Sequence, residues 1–171
     1  KSTEILSILL GPATVALAVP LYLNLRRIRQ LFWPVLTTLV IGGVFATALC
    51  VGLGYVLGAD HMILMTMAPK SVTSPIAMLV AEQIGGVAAL AAVFVLITGV
   101  IGGIFGPGLL TLAGVQSPEA RGMALGLTAH AVGTSAALQE GEECGAFAAL
   151  AMSLMGVATA LFLPLAVSLV A

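Results

Sequence analysis

Residues 87–105 read VAALAAVFVLITGVIGGIF and contain no charged side chain. As a helix rising 1.5 Å per residue, this run is about 28 Å long, close to the hydrocarbon thickness of a bilayer. It predicts a transmembrane helix. Residues 33–57 and 144–170 read the same way, with Trp33 as an interfacial anchor and Asp60-His61 marking the far end of the former. A fourth span is expected over residues 5–23. There Gly11-Pro12 predicts a kink, because Pro12 removes a backbone donor.

The composition agrees with these spans. The 171 residues are 60% hydrophobic and 8% charged, with a mean hydropathy of +1.19. Soluble domains carry about 25% charged residues, so this chain cannot clothe a water-facing surface, and lipid must surround most of it. A net charge of −1 without a basic stripe excludes nucleic acid as a partner. Cys50 and Cys144 lack metal-ligand spacing and read as small apolar packing residues. Met62, Met65, Met67, Met152 and Met155 also read as packing, so neither a metal nor a cofactor is expected. The chain opens at Lys1 with no signal-peptide pattern, and a piece of a longer chain is expected.

Two segments break the pattern. Residues 62–83 are apolar at both ends but carry Pro69-Lys70-Ser71-Val72-Thr73-Ser74-Pro75 between them, and two prolines flanking hydroxyls break a helix in its middle. Residues 117–143 start with a helix cap, Ser117-Pro118-Glu119. That helix is expected to run through Gly126 towards His130 and to break at Gly133-Thr134-Ser135. Glu140 and Glu143 are expected as solvated loop charges. Gly106-Pro107-Gly108 is expected to end the span before it.

Displacing the chain by 60 residues lays residues 68–91 on 128–151 with eight of 24 positions identical. Lys70 falls on His130, Ser74 on Thr134, Glu82 on Glu142 and Gly85 on Gly145. The expected architecture is all-α: one polytopic transmembrane domain over residues 1–171. It contains two repeats, about 62–106 and 117–170, each a broken or re-entrant helix plus a full span. Each half of a broken segment is shorter than the roughly 20 residues a crossing needs, which favours hairpins and an inverted pair of repeats. Arg26, Arg27 and Arg29 place the first loop in the cytoplasm.

Broken helices leave backbone donors unpaired, and half-helix N-termini suit anions. Ser71, Thr73, Ser74, Thr134 and Ser135 add neutral donors beside Gly133. Lys70 adds a full charge whose burial in a membrane reads as the counter-charge of a carboxylate, with internal pairing to Glu82 as the alternative. His130 could carry a coupled proton or, alternatively, stay neutral and bond a helix carbonyl. Glu82 and Glu142 are further proton-coupling candidates, although helix ends near the interface suit them better. Tyr22 and Asn24 read as interfacial. No nucleophile motif surrounds Ser71 or Ser74, so an enzyme is not expected.

Three motifs carry a family resemblance. The run Leu10-Gly11-Pro12-Ala13-Thr14-Val15-Ala16-Leu17-Ala18-Val19-Pro20-Leu21-Tyr22, the run Pro69 to Ala77, and Arg121-Gly122 together with His130-Ala131-Val132-Gly133-Thr134 resemble signatures of the LrgB/CidB family over essentially the whole chain. The resemblance implies further N-terminal spans and a holin-like membrane partner. It also implies either control of murein hydrolase activity or transport of small acids, as in relatives linked to glycolate/glycerate and pyruvate. Many relatives carry an Arg-Ala pair where this chain has Ser135-Ala136-Ala137, so no arginine is carried over to that position.

Taken together, the expectation is a secondary transporter of small monocarboxylates of the pyruvate, lactate, glycolate or glycerate class, coupled to protons. The alternative is an antiholin-like regulator of autolysis. A homo-oligomer in the bacterial cytoplasmic membrane is expected in either case.

Overall fold

The computed structural model describes residues 18–170. The expected span at residues 5–23 lies mostly outside the described residues, as do its Gly11-Pro12 kink and most of the first family motif. Among the described residues the chain is entirely helical: α1 (Ala18–Leu23), α2 (Leu25–Gln30), α3 (Phe32–Val56), α4 (His61–Met67), α5 (Ser74–Gln83), α6 (Ala88–Leu112), α7 (Pro118–Glu140) and α8 (Glu142–Val170).

Three helices are long and apolar enough to cross a membrane: α3, α6 and α8. Val40, Ile41 and Phe45 of α3, Leu96, Ile97 and Ile104 of α6, and Leu161 and Phe162 of α8 are all exposed. Apolar faces this large belong against lipid, so the protein is an integral membrane protein.

Two boundaries differ from expectation. Helix α6 runs through Gly106-Pro107-Gly108 to Leu112. Pro107 withholds one ladder hydrogen bond, but apolar neighbours on both sides keep the segment where only a helix satisfies its backbone. The acidic stretch is not a loop either. Gly141 alone separates α7 from α8, at φ 149° and ψ 163°, a conformation side chains avoid. Glu142 and Glu143 form the first turn of α8, where the helix dipole favours acids.

Both broken segments fold back on themselves. In α7 the backbone leaves the helical region at Ala129 and His130. Arg121 at its start and Glu140 at its end then meet through two guanidinium–carboxylate bonds of 2.6 Å. A straight helix would hold them about 28 Å apart. The bend lies earlier than Gly133-Thr134-Ser135. Gly133 instead follows the bend, where a Cβ would collide with the Leu125 carbonyl of the opposite arm. In the first segment α4 and α5 have seven and ten residues, about 10 and 15 Å, and neither alone crosses a bilayer. Val87 N–H, just beyond α5, donates to Thr66 Oγ1 of α4 at 2.9 Å, which ties the segment's exit to its entry.

The α4–α5 segment leads into the start of α6 and α7 follows its end, so the two are joined to opposite ends of that helix. Arg27 contacts Glu119 and Glu143, and Arg121 reaches the Val115 and Pro107 carbonyls. These contacts gather the approach to α3, the end of α6, both ends of α7 and the start of α8 at one end of the bundle. The 25-residue α3 and α6 lead to and from the α4–α5 hairpin at the other. The central core joins all of these elements: Leu39 of α3, Val72 between α4 and α5, Val95 of α6, Leu127 of α7, and Phe147 and Met155 of α8.

Candidate functional site

The six-residue link between α4 and α5 carries Lys70, Ser71 and Thr73. Met67 and Pro69 carbonyls accept from the Lys70 and Val72 N–H groups, so the link turns through short-range bonds. Ser71 is buried and accepts a hydrogen bond from Lys70 Nζ at 3.2 Å. Lys70 is half-buried, and among the described residues it has no carboxylate within 4.0 Å. Thr73 is the N-cap residue of α5 with extended backbone, and Ser74 opens the helix. The Thr73 side chain makes no capping bond, so its hydroxyl stays available beside the positive end of the α5 dipole.

The bend of α7 packs on α6 at Val95, which shares a core with Val72 of this link. His130 is 4% exposed and is the one non-glycine at positive φ among the described residues, at φ 43° and ψ −127°. This resembles the first central residue of a type II′ turn, a place glycine normally takes. Its Nε2 lies 2.9 Å from the Val95 carbonyl oxygen. A carbonyl only accepts, so Nε2 carries the hydrogen and Nδ1 is left as the acceptor. Val95 and Gly99 lie near the middle of α6, so the bend packs about halfway along that helix. Lys70 is within electrostatic reach of the imidazole and of Cys50.

The spacing of Gly99/Gly103 and Gly102/Gly106 predicts close helix approach, and the α7 bend is what approaches there. A Cβ on Gly99 would stand 2.6 Å from His130 Cε1, one on Gly102 2.5 Å from Ala129 Cβ, and one on Gly106 2.7 Å from Leu125 Cδ2. These small residues are the seat of the α7 hairpin. Their spacing is visible in the sequence, but it occurs in many membrane helices and does not say what sits on it.

The remaining expected residues fall into two groups. Thr134 is buried, and its hydroxyl donates to the His130 carbonyl at 2.8 Å, so it satisfies the bend. Gly133 serves packing within the hairpin, and Ser135 is exposed on the returning arm. Glu82 lies exposed at the outer end of α5, and Glu142 lies exposed at the start of α8. The structure does not bring either acid to the breaks.

Five charges at the α7 end form three ion pairs, Arg27 with Glu119 and Glu143 and Arg121 with Glu140. The Ser117 hydroxyl and then Arg27 hold the Glu119 carboxyl below its usual range. The Arg121 fork does the same to Glu140, and Glu140 in return holds Arg121 up. Among the described residues, no group of three metal-ligating side chains converges.

The family described as LrgB-like matches residues 1–169. Uncharacterized protein YxaC of Bacillus subtilis (strain 168) is 39% identical over 165 residues, covering 93% of this chain and 69% of the relative. Antiholin-like protein LrgB of Bacillus mycoides (strain KBAB4) is 31% identical over 162 residues, covering 95% of this chain and 70% of the relative. The protein of the same name in Bacillus cereus (strain B4264) matches to the same extent. No solved structure matches the chain.

Proposed function

The chain belongs to the LrgB-like family, and on that premise we propose that it acts as an antiholin-like protein of the bacterial cytoplasmic membrane. In this reading it restrains murein hydrolase activity and autolysis together with a holin-like partner. The name carried by the Bacillus relatives supports it. Deleting the gene should advance autolysis, and supplying the chain should restore the parental timing. A deletion strain that lyses on the parental schedule overturns the reading.

One geometric observation favours a second reading: the α7 bend bearing His130 packs on α6 at Val95, and Val72 of the Lys70 link shares a core with Val95. A small monocarboxylate of the pyruvate, lactate, glycolate or glycerate class suits such a centre. Its carboxylate would take the Lys70 ammonium, the Ser71 and Thr73 hydroxyls and the N-terminal turn of α5. His130 Nδ1 is positioned to accept a coupled proton while Nε2–H stays on Val95. Residues 62–106 and 117–170 would then be inverted repeats moving about this centre, the symmetry alternating access commonly uses.

Proteoliposome uptake of labelled acids under an imposed proton gradient tests transport, and Lys70→Met should abolish it in a folded protein. Uptake unchanged in that variant removes the lysine as counter-charge. The two readings separate in cells. A regulator that does not transport keeps its control of lysis when Lys70 is replaced, whereas a regulator that works through transport loses both together.

A further inference from the structure

We propose that Arg26 and Arg29, with Tyr22 beside them, bind the phosphate of an anionic phospholipid headgroup where α2 leads into α3. A pocket of about 610 Å³ opens there, lined by Tyr22, Leu23, Leu25, Arg26, Arg29 and Gln30. Arg26 and Arg29 stand three residues apart on the short helix α2, so their guanidinium groups share a face. Their neighbour Arg27 leaves that face to pair with Glu119 and Glu143. Among the described residues, neither Arg26 nor Arg29 has a carboxylate within 4.0 Å, although each carries a full charge.

The surroundings identify the ligand. Tyr22 is 77% exposed and Leu23 62%, and the exposed pair Phe32–Trp33 packs edge to face at 5.5 Å just beyond the arginines. Aromatic rings at the foot of a spanning helix mark the headgroup level of a bilayer. A ligand here must present an anion to two guanidinium groups and hydrocarbon to Leu23, Leu25 and Tyr22. A free phosphate meets the first requirement only. A phosphodiester headgroup with its acyl chains meets both, and guanidinium forks match phosphate oxygens in pairs. The site stands whether the protein transports acids or restrains lysis.

Trp33, the one tryptophan of the chain, reports on the site directly. The full chain is reconstituted in phosphatidylcholine vesicles containing increasing fractions of brominated phosphatidylglycerol or, separately, brominated phosphatidylcholine. Half-quenching of Trp33 should need on the order of tenfold less of the anionic lipid, since each surface arginine favours an anionic lipid by several-fold. The double variant Arg26→Gln, Arg29→Gln should erase that difference. Both side chains are exposed, so the variant should keep its helical circular dichroism. Native mass spectrometry should show phosphatidylglycerol retained by the parent and lost from the variant. Equal quenching by the two lipids overturns the proposal and leaves the face to an acidic protein partner. A preference that survives in the double variant overturns it as well.

Discussion

His130 combines two features that pull in opposite directions. Its backbone at φ 43° strains any side-chain-bearing residue by about 1–3 kcal/mol. Its ring gains a hydrogen bond to Val95 worth about 1 kcal/mol. Replacement by alanine keeps the strain and loses the bond, whereas replacement by glycine loses both. His130→Gly should therefore be the more stable of the two variants by about 1 kcal/mol or more in thermal unfolding in detergent. In an ordinary helix the order reverses, because alanine exceeds glycine by about 1 kcal/mol, so a more stable His130→Ala variant would show that the bend is absent. Gly99→Ala should cost about 1–3 kcal/mol by pushing the imidazole off Val95. Gly52→Ala, which meets nothing within 4 Å, should be neutral or mildly stabilising. At this scale the sequence shows which residues are chemically unusual, Lys70 and His130 above all. It does not show the torsions or the Val95 carbonyl, because a main-chain acceptor has no identity in the sequence.

The legible elements were those whose signals are local. Ser117-Pro118-Glu119 starts α7 because its cap is made within three residues, the Ser117 hydroxyl accepting from Ala120 N–H. Pro69 and Pro75 announce the first break for the same reason. The second break was misplaced because Gly133 is needed for close packing on Leu125, and a glycine serving contact looks the same in sequence as one serving a bend. What holds the α7 hairpin shut is likewise non-local: Arg121 grips Glu140 nineteen residues away. Because Glu140 has its carboxyl lowered below the ordinary 4.5, the pair contributes stability that is present above about pH 4.5 and lost as pH falls through the lowered value. Thermal unfolding should thus weaken on acidification, and Glu140→Gln should flatten part of that dependence while costing about 1 kcal/mol near neutrality. An Arg121→Gln variant should flatten the same limb. An unaltered acid limb in both variants would mean that the pair does not clasp the hairpin in solution.

Among the described residues the arginines are sorted to one end. Arg26, Arg27, Arg29 and Arg121 are gathered where α7 begins and ends, and among the described residues no lysine or arginine lies at the α4–α5 entrance. Positive charge beside spans stays in the cytoplasm, so the α7 hairpin should open inward and the α4–α5 hairpin outward. With Cys50 and Cys144 replaced by serine and alanine to remove background, single cysteines at Gln116 and Gln139 bracket α7, and single cysteines at His61 and Gln83 bracket the other hairpin. All four positions are exposed. In intact cells a membrane-impermeant maleimide should label positions 61 and 83 and spare 116 and 139. In inside-out vesicles the pattern should invert. The members of each pair must behave alike, since a segment that crossed the membrane would put its two ends on opposite sides. Position 116 labelled from one side and 139 from the other would convert α7 from a hairpin into a span. The anion site proposed for Lys70 and His130 would then lose the opposed geometry on which it depends.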